Sequence, residues 1–155
     1  RIAAFEAGGR FKGWIARPGG GPGELHFPTY ITLGAGGDLY VTDSLNFRVQ
    51  ALGPDGEPRG ALGALGDGPG AFSKPKGVAV DADGHVYVVD SLFDNVQVFD
   101  PGGQLLLALG QTGNGPAQMY LPQGIAIDAR GFIYVADVYN GRIQVFQYLP
   151  EVVAP

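Results

Sequence analysis

The chain has 155 residues, 45% of them apolar and only 16% charged, which is enough apolar material for one compact domain and argues against charge-driven disorder. A formal charge of −5, with ten Lys and Arg spread thinly, excludes the basic stripe that nucleic acid or an anionic membrane surface would need. The absence of cysteine excludes disulfides, Cys-type zinc sites and covalently attached haem, and no apolar run nears the ~20 residues of a membrane-crossing helix.

The 27 glycines and 12 prolines would suggest low complexity if they were scattered, but they recur in register. Sliding the sequence by 47 residues aligns it with itself without a gap. Arg1-Ile2-Ala3-Ala4-Phe5 matches Arg48-Val49-Gln50-Ala51-Leu52, Asn95-Val96-Gln97-Val98-Phe99 and Arg142-Ile143-Gln144-Val145-Phe146. Pro28, Pro75 and Pro122 share a column, as do Gly37, Gly84 and Gly131, and Asp43, Asp90 and Asp137.

In chain order, residues 1–16 read as the third and fourth strands of one unit. Residues 29–64 form a complete unit of four strands, and 77–110 form a second. In the latter, Val78-Ala79-Val80 precedes the turn Asp81-Ala82-Asp83-Gly84, whose glycine suits the left-handed position of a tight hairpin, and Val86-Tyr87-Val88-Val89 follows. Residues 124–147 supply three strands, and Gln147-Tyr148-Leu149-Pro150 stands where the next turn should be. No window has helical spacing of apolar residues. Each unit is thus a four-stranded antiparallel meander with apolar residues on both faces. Such a sheet is stable only between similar sheets, and radial stacking of twisted sheets gives a propeller. The expected class is all-β, an arc of about three four-stranded blades.

These units resemble the NHL-repeat family. The likeness is carried by Pro122-Gln123-Gly124-Ile125-Ala126-Ile127-Asp128, then Tyr134-Val135-Ala136-Asp137, then Asn140-Gly141-Arg142-Ile143-Gln144-Val145-Phe146. It implies a six-bladed propeller that holds a protein or RNA partner, with lyases and lactonases carrying a channel metal among more distant relatives. Three departures stand out. Tyr30 replaces Gly77 and Gly124, Gly34 replaces Asp81 and Asp128, and Phe93-Asp94-Asn95 replaces the Asn-x-Arg of Asn46–Arg48 and Asn140–Arg142. The pattern reads as the C-terminal part of a longer propeller; the remaining blades come from the same chain or from a second copy.

Asp43, Asp90 and Asp137 are the tempting carboxylates. Recurrence in every blade favours turn residues that accept backbone N–H bonds and pair with Arg48 and Arg142, because catalytic sites are asymmetric. His26 and His85 occupy different columns, and His85 follows a hairpin glycine, where a solvated side chain is expected. No metal site and no cofactor are expected from these residues. The loops between second and third strands carry Leu45, Phe47, Phe93 and Tyr139, and the long connections bring Tyr30, Lys74, Lys76, Tyr120 and Gln123 to the same face. Exposed aromatic and aliphatic groups on one rim are what a protein interface offers. The expected function is a non-enzymatic scaffold for protein–protein interaction, without nucleic acid binding or membrane insertion, in an exported bacterial protein. The alternative is a six-bladed hydrolase or lyase whose channel-metal ligands lie partly on blades outside this sequence.

Overall fold

Short β-branched and aromatic runs, cut by Gly, Asp and Pro, leave strands as the dominant local structure. The computed structural model describes residues 1–148, so Leu149 and Pro150 of the turn noted above lie outside the described residues. A hairpin of β1 (Ile2–Phe5) and β2 (Phe11–Ile15) comes first, then a parallel ladder of β3 (Arg17–Pro18) with β4 (Glu24–Leu25). The first full blade is the meander β5 (Pro28–Leu33), β6 (Leu39–Asp43), β7 (Arg48–Leu52) and β8 (Pro58–Leu62). The second is β9 (Pro75–Val80), β10 (Val86–Asp90), β11 (Asn95–Phe99) and β12 (Leu105–Leu109). Another parallel ladder, β13 (Gln111–Thr112) with β14 (Gln118–Met119), leads to the last sheet, β15 (Ile125–Ile127), β16 (Phe132–Asp137) and β17 (Arg142–Gln147).

Strand register repeats with the 47-residue frame. β7 meets β8 through Val49↔Leu62, Gln50↔Ala61 and Ala51↔Gly60, then Leu52↔Pro58 across a bulge. β11 meets β12 through Val96↔Leu109, Gln97↔Ala108 and Val98↔Leu107, then Phe99↔Leu105 across the same bulge. The N-terminal hairpin repeats it with Ile2↔Ile15, Ala3↔Trp14, Ala4↔Gly13 and Phe5↔Phe11.

The first strands β5, β9 and β15 adjoin one another, and the Gly77 N–H donates to the Gln123 carbonyl across two of them at 2.8 Å. A Cβ on Gly77 would lie 2.5 Å from that same carbonyl, so only glycine permits this approach. The outer strands β8 and β12 are mostly exposed. The blades therefore fan outward from their first strands, as in a β-propeller.

Burial tracks the number of neighbours. All five residues of β10, in the middle blade, are buried because both faces are covered. In β16 burial alternates along the strand, because only one face meets another blade. Val49, Tyr40 and Leu62 of the first blade pack on Val78, Val86, Val88 and Phe99 of the second, with Phe72 wedged between. Tyr87, Val89, Val96 and Val98 pack on Ile133 and Val135 of the third, with Met119 in the equivalent wedge. Ile2 and Ala16 cover Leu25, Val41 and Leu52 on the other side of the first blade.

Candidate functional site

The turn between second and third strands is built on a buried carboxylate. Asp137, fully buried at the end of β16, accepts the Tyr120 N–H at 2.8 Å, Asn140 Nδ2 at 2.9 Å, Arg142 Nε at 2.8 Å and Gln144 Nε2 at 3.1 Å. Arg142 also donates to the carbonyls of Asn114, Gly115 and Gln118, and Asn140 to that of Gly113. One acid thus ties its turn to the connection entering the blade. Asp43 does the same with the His26 N–H at 2.5 Å, Asn46 at 2.8 Å, Arg48 at 2.9 Å and Gln50 at 3.2 Å. Burial opposes charge on Asp137, yet the Tyr120 N–H and the Asn140, Arg142 and Gln144 side chains hold its carboxyl below the ordinary carboxylate value. Both oxygens are committed internally, which is a structural assignment and not a ligand set.

The middle blade departs where its sequence departs. Among the described residues Asp90 is bound only by backbone N–H groups, those of Ser73, Lys74, Leu92 and Phe93, with Ser73 at 2.7 Å. Asp94, in the left-handed position at φ 53°, instead reaches forward to the connection that leads to the third blade. Its oxygens accept the Thr112 hydroxyl at 2.8 Å and the Leu121 N–H at 2.7 Å. Further pins cross between blades: Thr42 Oγ1 donates to the Lys76 carbonyl at 2.6 Å, Ser44 Oγ to that of Pro75 at 3.0 Å, and Ser91 Oγ to that of Pro122.

Above this buried layer lies an exposed rim. The turns sit against the connections through Leu45 N–H to His26 O, Ser91 N–H to Lys74 O and Tyr139 N–H to Tyr120 O, at 3.0–3.1 Å. Leu45, Leu92 and Tyr139 occupy one column and are exposed by 49%, 58% and 67%. Tyr120 meets Tyr139 edge to face, with ring centroids 5.4 Å apart. Phe27 and Val138 are exposed beside them, as are Lys74 and Gln123. Phe47, Lys76 and Phe93 are half-buried, and Tyr30 packs against the cluster between the first two blades. The rim thus gathers Leu45, Tyr120 and Tyr139 and draws Tyr30 into packing. The glutamine column of Gln50, Gln97 and Gln144, which clamps each connection, escaped the sequence reading even though it recurs in every blade.

The opposite face carries the turns between first and second strands. There the expectation of a solvated His85 is corrected: the ring is half-buried, and Nδ1 lies 2.9 Å from Asp81 Oδ2, because Asp81 curls back over its own turn. Asp81 also accepts the Asp83 and His85 N–H groups and the Tyr87 hydroxyl at 2.9–3.0 Å. Burial opposes its charge, but the His85 and Tyr87 bonds hold its carboxyl below the ordinary value. In the third blade Asp128 takes the same place, bound by Arg130 at 2.8 Å. One ligand atom each from Asp81, Asp83 and His85 lies within 4.8 Å of the others. The donor set fits a metal poorly, since both Asp81 oxygens are already engaged and His85 bonds to one of them. Adding Zn²⁺ or Ca²⁺ is therefore expected to leave the melting temperature unchanged; a rise that grows with metal concentration would show that this cluster opens to bind it.

The chain matches the NHL repeat family over residues 72–99 and 119–146. No curated protein matches it. Among solved structures it is similar to a Bacteroides thetaiotaomicron protein of unknown function, with 22% identity over 76% of this chain and 34% of that one and a TM-score of 0.62. It is also similar to hydrazine synthase of Kuenenia stuttgartiensis, with 22% identity over 87% of this chain and 36% of that one and a TM-score of 0.62. Virginiamycin B lyase of Staphylococcus aureus aligns with 17% identity over 94% of this chain and 47% of that one, at a TM-score of 0.63. At such identities the likeness shows the propeller fold alone, and the chain spans 34–47% of the length of these proteins.

Proposed function

Because the chain belongs to the NHL-repeat family of β-propeller proteins, we propose that it is a non-enzymatic scaffold. It holds a protein partner on the face carrying the inter-blade connections and the turns between second and third strands. The observation that carries this reading is the column of Leu45, Leu92 and Tyr139, one large apolar side chain per blade, repeatedly turned to solvent. Tyr120, Phe27 and Val138 add further exposed apolar side chains on the same face, of the kind that binding desolvates, and Tyr120 meets Tyr139 directly. The carboxylates beneath serve the turns, so the face offers contact area in place of reacting groups.

The test is capture of a partner from extract of the native host. Leu45→Asp, Leu92→Asp and Tyr139→Asp together are expected to weaken capture about tenfold or more, the equivalent of losing ~1.4 kcal/mol of binding. The melting temperature should stay near that of the parent, since all three side chains are exposed. Undiminished capture by this variant would place the site elsewhere.

The lyase alternative draws on the likeness to virginiamycin B lyase and on the Asp81, Asp83 and His85 cluster. The internal bonds of that cluster favour the scaffold.

A further inference from the structure

The middle blade lacks a cation that both of its neighbours have. In the first and third blades the third strand opens on an arginine whose guanidinium lies across the connection. Arg48 Nη2 donates to the Gly21 and Glu24 carbonyls at 2.9 and 3.0 Å, and Arg142 Nη2 donates to those of Gly115 and Gln118 at 2.7 Å. Asn95 stands in that column of the second blade. Among the described residues its side chain donates to neither of the matching carbonyls, Gly68 and Ala71, and its Oδ1 is buried without a partner.

The cradle keeps its shape without the guanidinium. The Ala71 N–H donates to the Gly68 carbonyl at 3.0 Å, against 3.1 and 3.2 Å for the corresponding bonds of Glu24 and Gln118. Gln97 accepts from the Gly70 N–H at 3.0 Å and donates to the Ala71 carbonyl at 2.8 Å, as Gln50 and Gln144 do in their blades. The Gly68 and Ala71 carbonyls therefore each keep a lone pair that an arginine occupies elsewhere. Beside them is a cleft of about 610 Å³, whose walls include Asp67, Gly68, Pro69, Phe93, Asn95 and Gln97 and carry no basic side chain. The middle blade is flanked on both sides, so the cleft is complete within the described residues.

Charge points the same way. Asp43 and Asp137 are buried and paired with their arginines at 2.9 and 2.8 Å. Asp90 and Asp94 are buried too, yet among the described residues neither forms an ion pair. Buried carboxylates without a counter-charge are costly, and a cation seated nearby offsets that cost. We propose that the cleft binds a guanidinium group brought from outside the chain. One terminal nitrogen donates to the Gly68 and Ala71 carbonyls, as in the neighbouring blades, and the remaining N–H groups face Asn95 Oδ1 and the Asp67 carboxylate. Phe93 supplies an aromatic wall. A planar fork reaches such divergent acceptors, whereas a compact ammonium does not. The place is open to solvent: the side chains of Arg48 and Arg142 are 15% and 33% exposed in theirs, and Asp67 and Leu92 beside the cleft are exposed. The site stands independently of the partner-face reading, because its acceptors belong to the blade and not to the rim.

The test is an NMR titration of the chain with methylguanidinium chloride, kept well below denaturing concentration. The amide signals of Gly68–Ala71 and the side-chain amide of Asn95 should shift and saturate, and methylammonium or sodium chloride at equal ionic strength should not reproduce this. Asn95→Arg fills the cleft from within and is expected to raise the melting temperature and abolish the saturable shift. Asn95→Leu closes the cleft without a charge and should abolish the shift as well. Absence of a saturable shift in the parent, or an equal shift in both variants, overturns the proposal. Partner capture then separates the sources of the group. A loss of about tenfold or more with Asn95→Arg, whose rim is intact, identifies an arginine of the partner. Full capture beside lost methylguanidinium binding identifies a free guanidinium compound.

Discussion

Asp137→Ala is expected to lower stability by about 3–5 kcal/mol, the range for removing one partner of a buried ion pair. The acid is fully buried, and its removal strands Arg142 Nε, Asn140 Nδ2, Gln144 Nε2 and the Tyr120 N–H together. Arg142 is one-third exposed and can turn partly to water, which places the loss toward the lower end. Acid titration gives a second readout. The folded carboxyl sits below its unfolded value, so its stabilisation is complete above the unfolded carboxylate range and fades as pH falls through the depressed folded value. Urea unfolding of the parent and of Asp137→Ala should therefore differ most near neutrality and converge in acid. A gap independent of pH would contradict the charge assignment.

Phe72→Ala should also cost about 3–5 kcal/mol, as large-to-small changes at buried aromatics do. Phe72 belongs to the connection, not to a blade, and is completely buried. Its ring meets Phe99 edge to face at 5.8 Å, and it packs in the cluster that joins Val49 of the first blade to Val78 and Val86 of the second. Its backbone is fixed by a 2.8 Å bond to the Ala64 carbonyl. Truncation empties the seam between two blades, so the denaturation curve should broaden as they begin to unfold separately. A small loss with an unchanged slope would show that the seam repacks.

The strands were legible because a gapless 47-residue frame averages out local ambiguity: a Val-Ala-Val run or a Gly turn that is weak once is strong when repeated. The pairing of Asp43 with Arg48 and of Asp137 with Arg142 was legible for the same reason, since both partners lie within five residues in one frame. Contacts that cross frames were not. Asp94 was visible as a departure, but its partners Thr112 and Leu121 lie 18 and 27 residues away in the connection to the third blade. Ser44 and Ser91 look like turn residues until the carbonyl of the next blade is placed over them. Tyr30 and Leu45 both read as rim residues, yet one packs inward and the other faces solvent. Blade stacking decides between them, and it leaves no local signature. Leu92 stood in the sequence of the rim loop, but its column with Leu45 and Tyr139 gained meaning only when all three proved exposed.

The division of labour between buried acids and exposed rim can be tested by one measurement, partner capture normalised to the folded fraction. It compares Leu45→Asp/Leu92→Asp/Tyr139→Asp with Asp137→Ala. The rim variant should stay folded and lose capture, whereas the Asp137 variant should lose stability and retain full capture per folded molecule. A fully folded Asp137 variant that no longer captures, beside a rim variant that does, would contradict the account.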